Sequence, residues 1–121
     1  MKKILIVEDE VELAEMYEEK LERVGFKILL AFTADEGLEL TKKEKPDLIL
    51  LDILLPVKNG IYFLKEMKKD PEISSIPVLG FSNYDHPPTK NEAVELGIKE
   101  YLIKAAYTPA EIIEKIKEYL K

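Results

Sequence analysis

The chain contains no cysteine and a single histidine among its 121 residues. Without thiols it builds neither a disulfide scaffold nor a thiolate metal site, and nothing in it requires an oxidising compartment. The one histidine, His86, lies in a proline-rich stretch and reads as a plain exposed side chain, since a lone imidazole makes a poor metal site or relay. Long apolar runs are also missing: none approaches the ~18 residues that span a bilayer, so membrane insertion is not expected. Met1-Lys2-Lys3 and the apolar residues behind it imitate the start of a signal peptide, but Glu8-Asp9-Glu10 ends that run far short of a targeting segment. Basic residues are outnumbered, 18 Lys and Arg against 24 Asp and Glu, and a net charge of -6 opposes a phosphate backbone. No direct nucleic-acid binding is expected. The local group Lys65, Lys68 and Lys69 reads as the solvated face of a helix. These absences leave a soluble, cytoplasmic protein as the expectation.

What the chain does contain is a regular alternation. Apolar runs at residues 4–7, 27–31, 48–51, 76–81 and 101–103 are separated by segments of helical period. In the first of these segments Ala14, Tyr17, Leu21 and Val24 share a face, with Leu13 and Met16 beside them and Gly25 as a stop. The last places Ile112, Ile113, Ile116 and Leu120 on one face. Thr33 with Glu36, Thr89 with Glu92 and Thr108 with Glu111 form Thr-x-x-Glu boxes that mark helix starts, the last reinforced by Pro109. A further helix is predicted from Asn59-Gly60, carrying Phe63, Leu64 and Met67 inward. Before Thr89, the paired prolines Pro87-Pro88 predict a stiff extended loop over residues 85–88. Strand and helix alternating five times predict an α/β, doubly wound, five-stranded parallel sheet of order 2-1-3-4-5, flavodoxin-like, with five helices. At this length the chain reads as one domain, residues 1–121.

In such a sheet, ligands bind at the carboxyl ends of the strands, above all where the strand order reverses. Glu8 and Asp9 end the first apolar run and Asp52 ends the third, so the fold predicts that three carboxylates meet in that crevice. They repel one another unless a cation enters, and a hard divalent ion such as Mg2+ accepts their oxygens. An aspartate with an ordinary pKa near ~4 is ionised at neutral pH and can attack phosphorus without a general base. Ser82 ends the fourth run and Lys104 follows the fifth, offering a hydroxyl and an ammonium on the same edge for the oxygens of a transferred phosphoryl group.

This constellation resembles the receiver domain of two-component response regulators, particularly stand-alone forms of the chemotaxis type, over essentially the whole chain. The segment Leu51-Asp52-Ile53-Leu54-Leu55-Pro56 followed by Asn59-Gly60 looks like that family's phosphoacceptor stretch, accompanied by Glu8-Asp9, Ser82, Tyr101 and Lys104. The resemblance implies that Asp52 takes a phosphoryl group from a histidine kinase or histidine phosphotransfer protein. It implies Mg2+ held by Asp9 and Asp52, by Glu8 through water and by the Leu54 backbone carbonyl. Ser82 and Tyr101 would act as switch residues and Lys104 would pair with the phosphoryl group. The face built from the last two helices and the last strand would then change for a downstream protein target. On this reading the chain is a receiver without an output domain, a switch rather than a metabolic enzyme, monomeric or weakly dimeric on phosphorylation.

Departures from the family pattern generate their own expectations. Ala105 stands where a proline usually follows the lysine, and a cis bond to a non-proline residue costs about 2.5 to 4 kcal/mol. A trans peptide and a rearranged loop before Thr108 are therefore predicted. Asn83 is bulkier than the family's usual small residue and narrows access, while Leu54 and Tyr84 are expected to hinder an attacking water. Read alone, Asp9 also fits a helix cap paired with Glu12, Ser82 a turn hydroxyl and Tyr101 a half-buried strand aromatic. A flavodoxin-like small-molecule binder would need glycines, hydroxyls and amides in a phosphate loop where Glu8-Asp9-Glu10 stands. A magnesium-dependent hydrolase would need a general acid where Leu54 stands. A degenerate receiver that binds partners without phosphorylation is the remaining alternative.

Overall fold

The computed structural model describes residues 1–83 and 86–121. Five strands, β1 (Lys3–Val7), β2 (Lys27–Ala31), β3 (Leu48–Asp52), β4 (Val78–Ser82) and β5 (Glu100–Ile103), alternate with five helices, α1 (Val11–Arg23), α2 (Ala34–Glu44), α3 (Gly60–Lys68), α4 (Pro87–Glu95) and α5 (Pro109–Tyr119). The strands form one parallel sheet of order β2-β1-β3-β4-β5, as the alternation predicts. Register runs Ile4 to Leu48 and Val7 to Leu51 between β1 and β3, and Leu51 to Gly80 between β3 and β4.

The central strands are apolar on both faces because both faces are covered. Ile4, Ile6, Leu48, Leu50, Leu79 and Phe81 pack with α1 and α5 on one side. Leu5, Val7, Ile49, Leu51 and Val78 pack with α2, α3 and α4 on the other. Side chains alternate across a strand, so one continuous apolar run feeds two cores and leaves only the strand ends for polar chemistry. Gly25, at φ +100, ends α1 in the left-handed conformation that side chains disfavour. Val24 departs from the face predicted for it and is 44% exposed, because the helix stops at Arg23 and Val24 is its cap, outside the helical period.

The helix starts divide by how their first turns are satisfied. Thr108 and Glu111 form a complete reciprocal box, each side chain bonding the other's backbone amide. Thr33 accepts from the Glu36 amide as expected, but Glu36 reaches one residue further back, to the Phe32 amide at 2.7 Å. The third box does not start a helix. α4 begins two residues earlier, at Pro87, with His86 as its cap. Two prolines in a first turn sacrifice no hydrogen bond, since those amides have no helical acceptor, and their fixed φ already suits a helix. The imidazole Nδ1 accepts from the Thr89 amide at 3.3 Å and lies 2.8 Å from its hydroxyl. His86 is thus a half-buried cap rather than a free surface group. The expected loop over residues 85–88 is helical from Pro87 onward; Asp85 lies outside the described residues.

Replacing Thr108 with alanine removes one half of the complete box and should lower the unfolding free energy by about 1 kcal/mol. Urea unfolding followed by circular dichroism reads this directly, and an unchanged midpoint would show that α5 is held by its apolar face alone.

Candidate functional site

Parallel pairing puts the carboxyl ends of β1, β3, β4 and β5 on one edge. Glu8 continues β1 by donating its amide to the Ala31 carbonyl at 3.0 Å, which carries its side chain into the crevice between β1 and β3. There it is wholly buried; Asp52 at the end of β3 is 4% exposed, and Asp9 faces solvent. Oxygens of Glu8, Asp9 and Asp52 all lie within 4.8 Å of one another. Glu10, not Asp9, occupies the cap position of α1 and makes no side-chain cap bond, so Asp9 is not the helix cap.

Lys104 enters from the far side of the sheet. Its Nζ lies 2.6 Å from Glu8 Oε1, 3.6 Å from Asp52 Oδ2 and 3.9 Å from Glu10 Oε1. The ammonium also sits 4.6 Å from the centroid of the Phe81 ring. Phe81 is braced in turn by Tyr17, edge to face at 5.9 Å. No peptide among the described residues is cis; after Lys104 the chain makes a single 3-10 turn, Lys104–Ala106, and reaches the Thr108 cap. The trans bond after Lys104 is the one expected from Ala105, and Lys104 lies well inside the crevice. Ser82, at the end of β4 opposite Ile103, is wholly buried. Tyr101 lies opposite Gly80 and is half-buried against the core of the α2–α4 layer. Asn83 is exposed; Tyr84 lies outside the described residues.

Burial dominates the electrostatics. The Glu8 carboxyl is pushed up to about 7, chiefly by desolvation and further by the Asp52 charge, against the opposing pull of Lys104 and the Glu10 amide. Asp52 is also raised, again mainly by desolvation, with Lys104 and the Leu54 amide opposing. Burial and then the Glu8 charge push the Tyr17 phenol up to about 12. One ammonium therefore does not neutralise the crevice. An all-oxygen set of three carboxyl groups with surplus negative charge fits a hard divalent cation such as Mg2+.

The loop after Asp52 completes the site. The Leu54 amide donates to Asp52 Oδ1 at 3.0 Å, while its side chain is 46% exposed. Gly60 closes the foot of the loop through its amide to the Ile53 carbonyl at 2.9 Å, and a Cβ there would stand 2.7 Å from Ile53 Cα. Asn59 caps α3 by accepting from the Tyr62 amide. At the tip, Val57 takes φ +66, a conformation that costs a β-branched residue on the order of 1–3 kcal/mol. Sequence reasoning missed the Phe81 platform and the partners of this loop, Asp35, Lys58 and Tyr62. An aromatic just before Ser82 was a visible signal for the first; the others had none.

The sequence profile of the response regulator receiver domain matches residues 4–117. Over 120 residues the chain is 33% identical to the alkaline phosphatase synthesis transcriptional regulatory protein PhoP of Bacillus subtilis, covering 99% of this chain and 49% of that protein. It is 32% identical over 120 residues to the phosphate regulon transcriptional regulatory protein PhoB of Pseudomonas aeruginosa, covering 99% and 52%. The chain thus spans about half the length of these curated relatives. A solved CheY-like receiver domain protein from Methanospirillum hungatei superposes with a TM-score of 0.91 at 30% identity, over 99% of this chain and 94% of that one.

The raised carboxyl of Glu8 carries a stability signature. The unfolded chain loses this proton near 4.5 and the folded one near 7, so between those values the folded state binds more protons. Its contribution is most favourable below pH 4.5, falls as pH rises to 7 and is flat above; Asp52 acts with the same sign. In chelator, Glu8→Gln should therefore gain thermal stability relative to the wild type between pH 4.5 and 7.5. Mg2+ should stabilise the wild type at pH 7.5 and have little effect at 4.5. Parallel melting curves of the two proteins would contradict this account of the crevice.

Proposed function

The chain belongs to the response regulator receiver domain family, and on that premise we propose that it is a phosphorylation switch whose phosphoacceptor is Asp52. The observation that carries this reading is the nearly buried Asp52 carboxylate, grouped with Glu8 and Asp9 and 3.6 Å from the Lys104 ammonium. Receiver domains are not enzymes in the usual sense; the chemistry is one transfer onto the protein itself.

In that transfer an Asp52 oxygen attacks the phosphorus of a phosphohistidine on a histidine kinase or phosphotransfer protein. The new O–P bond forms as the N–P bond breaks, and the imidazole keeps the electron pair. No general base is needed once Asp52 is ionised. Burial opposes that ionisation, and Lys104 together with the Leu54 amide offsets it. Asp9, Asp52, the Leu54 backbone carbonyl and, through water, Glu8 would hold Mg2+, which when bound neutralises charge on the phosphoryl oxygens. Lys104 would exchange its Glu8 partner for the phosphoryl group, a move of a few ångströms for a flexible side chain.

The same edge provides the readout. The Ser82 hydroxyl would donate to a phosphoryl oxygen, and Tyr101, one strand away, would change rotamer. Together they would alter the surface formed by α4, β5 and α5, which a downstream protein reads. Leu54 projects from the residue next but one to Asp52 and is large enough to obstruct an incoming water, so hydrolysis of the aspartyl phosphate should be slow.

Intact mass after incubation with acetyl phosphate and Mg2+ tests the proposal. A single phosphoryl adduct is expected, absent from Asp52→Asn and from the chelated protein. Persistent failure of folded wild type to accept phosphate, with a working receiver alongside, would instead identify a degenerate receiver acting as a phosphorylation-independent interaction module. In the same assay Leu54→Asn should shorten the adduct's lifetime several-fold; an unchanged decay would remove Leu54 as the obstruction.

A further inference from the structure

The loop joining β3 to α3 is held differently at its two ends. Its foot is fixed in the core by the Gly60 amide on Ile53 and by the buried Leu55 side chain. Its tip projects into solvent. Val57 is fully exposed at φ +66, and the Lys58 amide donates across it to the Pro56 carbonyl at 2.8 Å. This is a γ-turn of the rare positive-φ kind, here on a β-branched residue, and such a turn persists only where its surroundings impose it.

What imposes it lies on α2. Asp35, in the first turn of that helix, receives Lys58 Nζ on Oδ2 at 2.9 Å and the Tyr62 hydroxyl on Oδ1 at 2.8 Å. The Lys58 ammonium also lies 4.9 Å from the centroid of the Tyr62 ring. One carboxylate thus grips the tip of the loop and the first turn of α3 together. A single exposed ion pair contributes little. Here both carboxylate oxygens are engaged and the two donors touch, so fixing one helps to fix the other. The charged pair also holds the Asp35 carboxyl below its usual range, through Lys58 first and Tyr62 second.

We infer that Asp35, Lys58 and Tyr62 are positioning residues for the cation site: by pinning the strained turn at Val57 to α2, they hold the Leu54 backbone in place beside Asp52. The inference rests on the receiver reading, in which the Leu54 carbonyl contributes an oxygen to Mg2+. Only Leu55 and Pro56 separate Leu54 from Val57. That link is stiff, because proline fixes its own φ and restricts the residue before it to extended conformations. With the Leu55 side chain seated in the core, a turn released at Val57 therefore tilts the Leu54 peptide about that anchor rather than dissipating in a floppy segment.

Calorimetric titration of the whole chain with MgCl2 tests this. Asp35→Asn and Lys58→Met should each raise the Mg2+ dissociation constant ~3- to 10-fold. Lys58→Arg, which keeps the cation, should stay near wild type. So should Lys65→Met, which breaks a separate exposed pair with Glu92. The two weakening variants change the local charge in opposite directions, so a simple field effect on Mg2+ would give them opposite signs. Opposite signs, or unchanged Mg2+ affinity with only a lowered melting temperature, would overturn the inference. If the wild type binds Mg2+ in a clamp-dependent manner yet accepts no phosphoryl group, the switch reading fails and the positioning role stands. If the wild type binds no Mg2+ at all, the cation site fails and the positioning role with it.

Discussion

Negative charge confined in a poorly solvated crevice is the constraint around which this molecule is arranged. Glu8 and Asp52 are carried out of water by the same apolar strands that build the two cores, so neither can be ionised at the usual cost. The chain supplies one internal answer, Lys104. That ammonium is brought across from β5 by a short 3-10 turn and supported on the Phe81 ring, which α1 braces through Tyr17. Core and site are therefore not separable: the aromatic pair that packs α1 against the sheet also sets where the counter-charge sits.

The internal answer is incomplete, and the incompleteness suits a switch. Lys104 is closer to Glu8 than to Asp52, leaving the second carboxylate partly uncompensated. A crevice fully neutralised by its own side chains would have little affinity for an entering cation or for an incoming phosphoryl group. One that lacked Lys104 altogether would favour protonated carboxyls, which are poor nucleophiles and poor ligands. On the proposed reading, the resting arrangement lies between these extremes, and the energy that drives the change in the α4, β5 and α5 surface comes from redistributing a charge already present.

The loop after Asp52 shows a comparable division. Its foot is held by packing and backbone hydrogen bonds that leave no room for a side chain at Gly60, whereas its tip carries a disfavoured backbone conformation restrained by exposed polar groups. Rigid packing sets where the acid stands. Adjustable surface contacts set how the neighbouring backbone is presented to it.

Much of this was legible in the chain itself. Apolar runs at a strand's length, separated by helical period, carry the order of elements, because both patterns are local and both faces of the central strands need burial. Asp52 stood out because a charge that ends such a run requires solvation, a partner or a metal. The start of α4 was misjudged, since Pro87-Pro88 reads equally as a loop or as a first helical turn, and only the placement of the His86 imidazole decides between them. The sequence alone determined the alternating α/β architecture, the sheet order and the edge on which the acids gather, because periodicity and right-handed crossover leave few other folds. Which ammonium meets which carboxylate was decided only in three dimensions. Lys104 and Glu8 lie 96 residues apart and Asp35 and Lys58 lie 23 apart, and no local pattern links side chains that are brought together by the packing of whole layers.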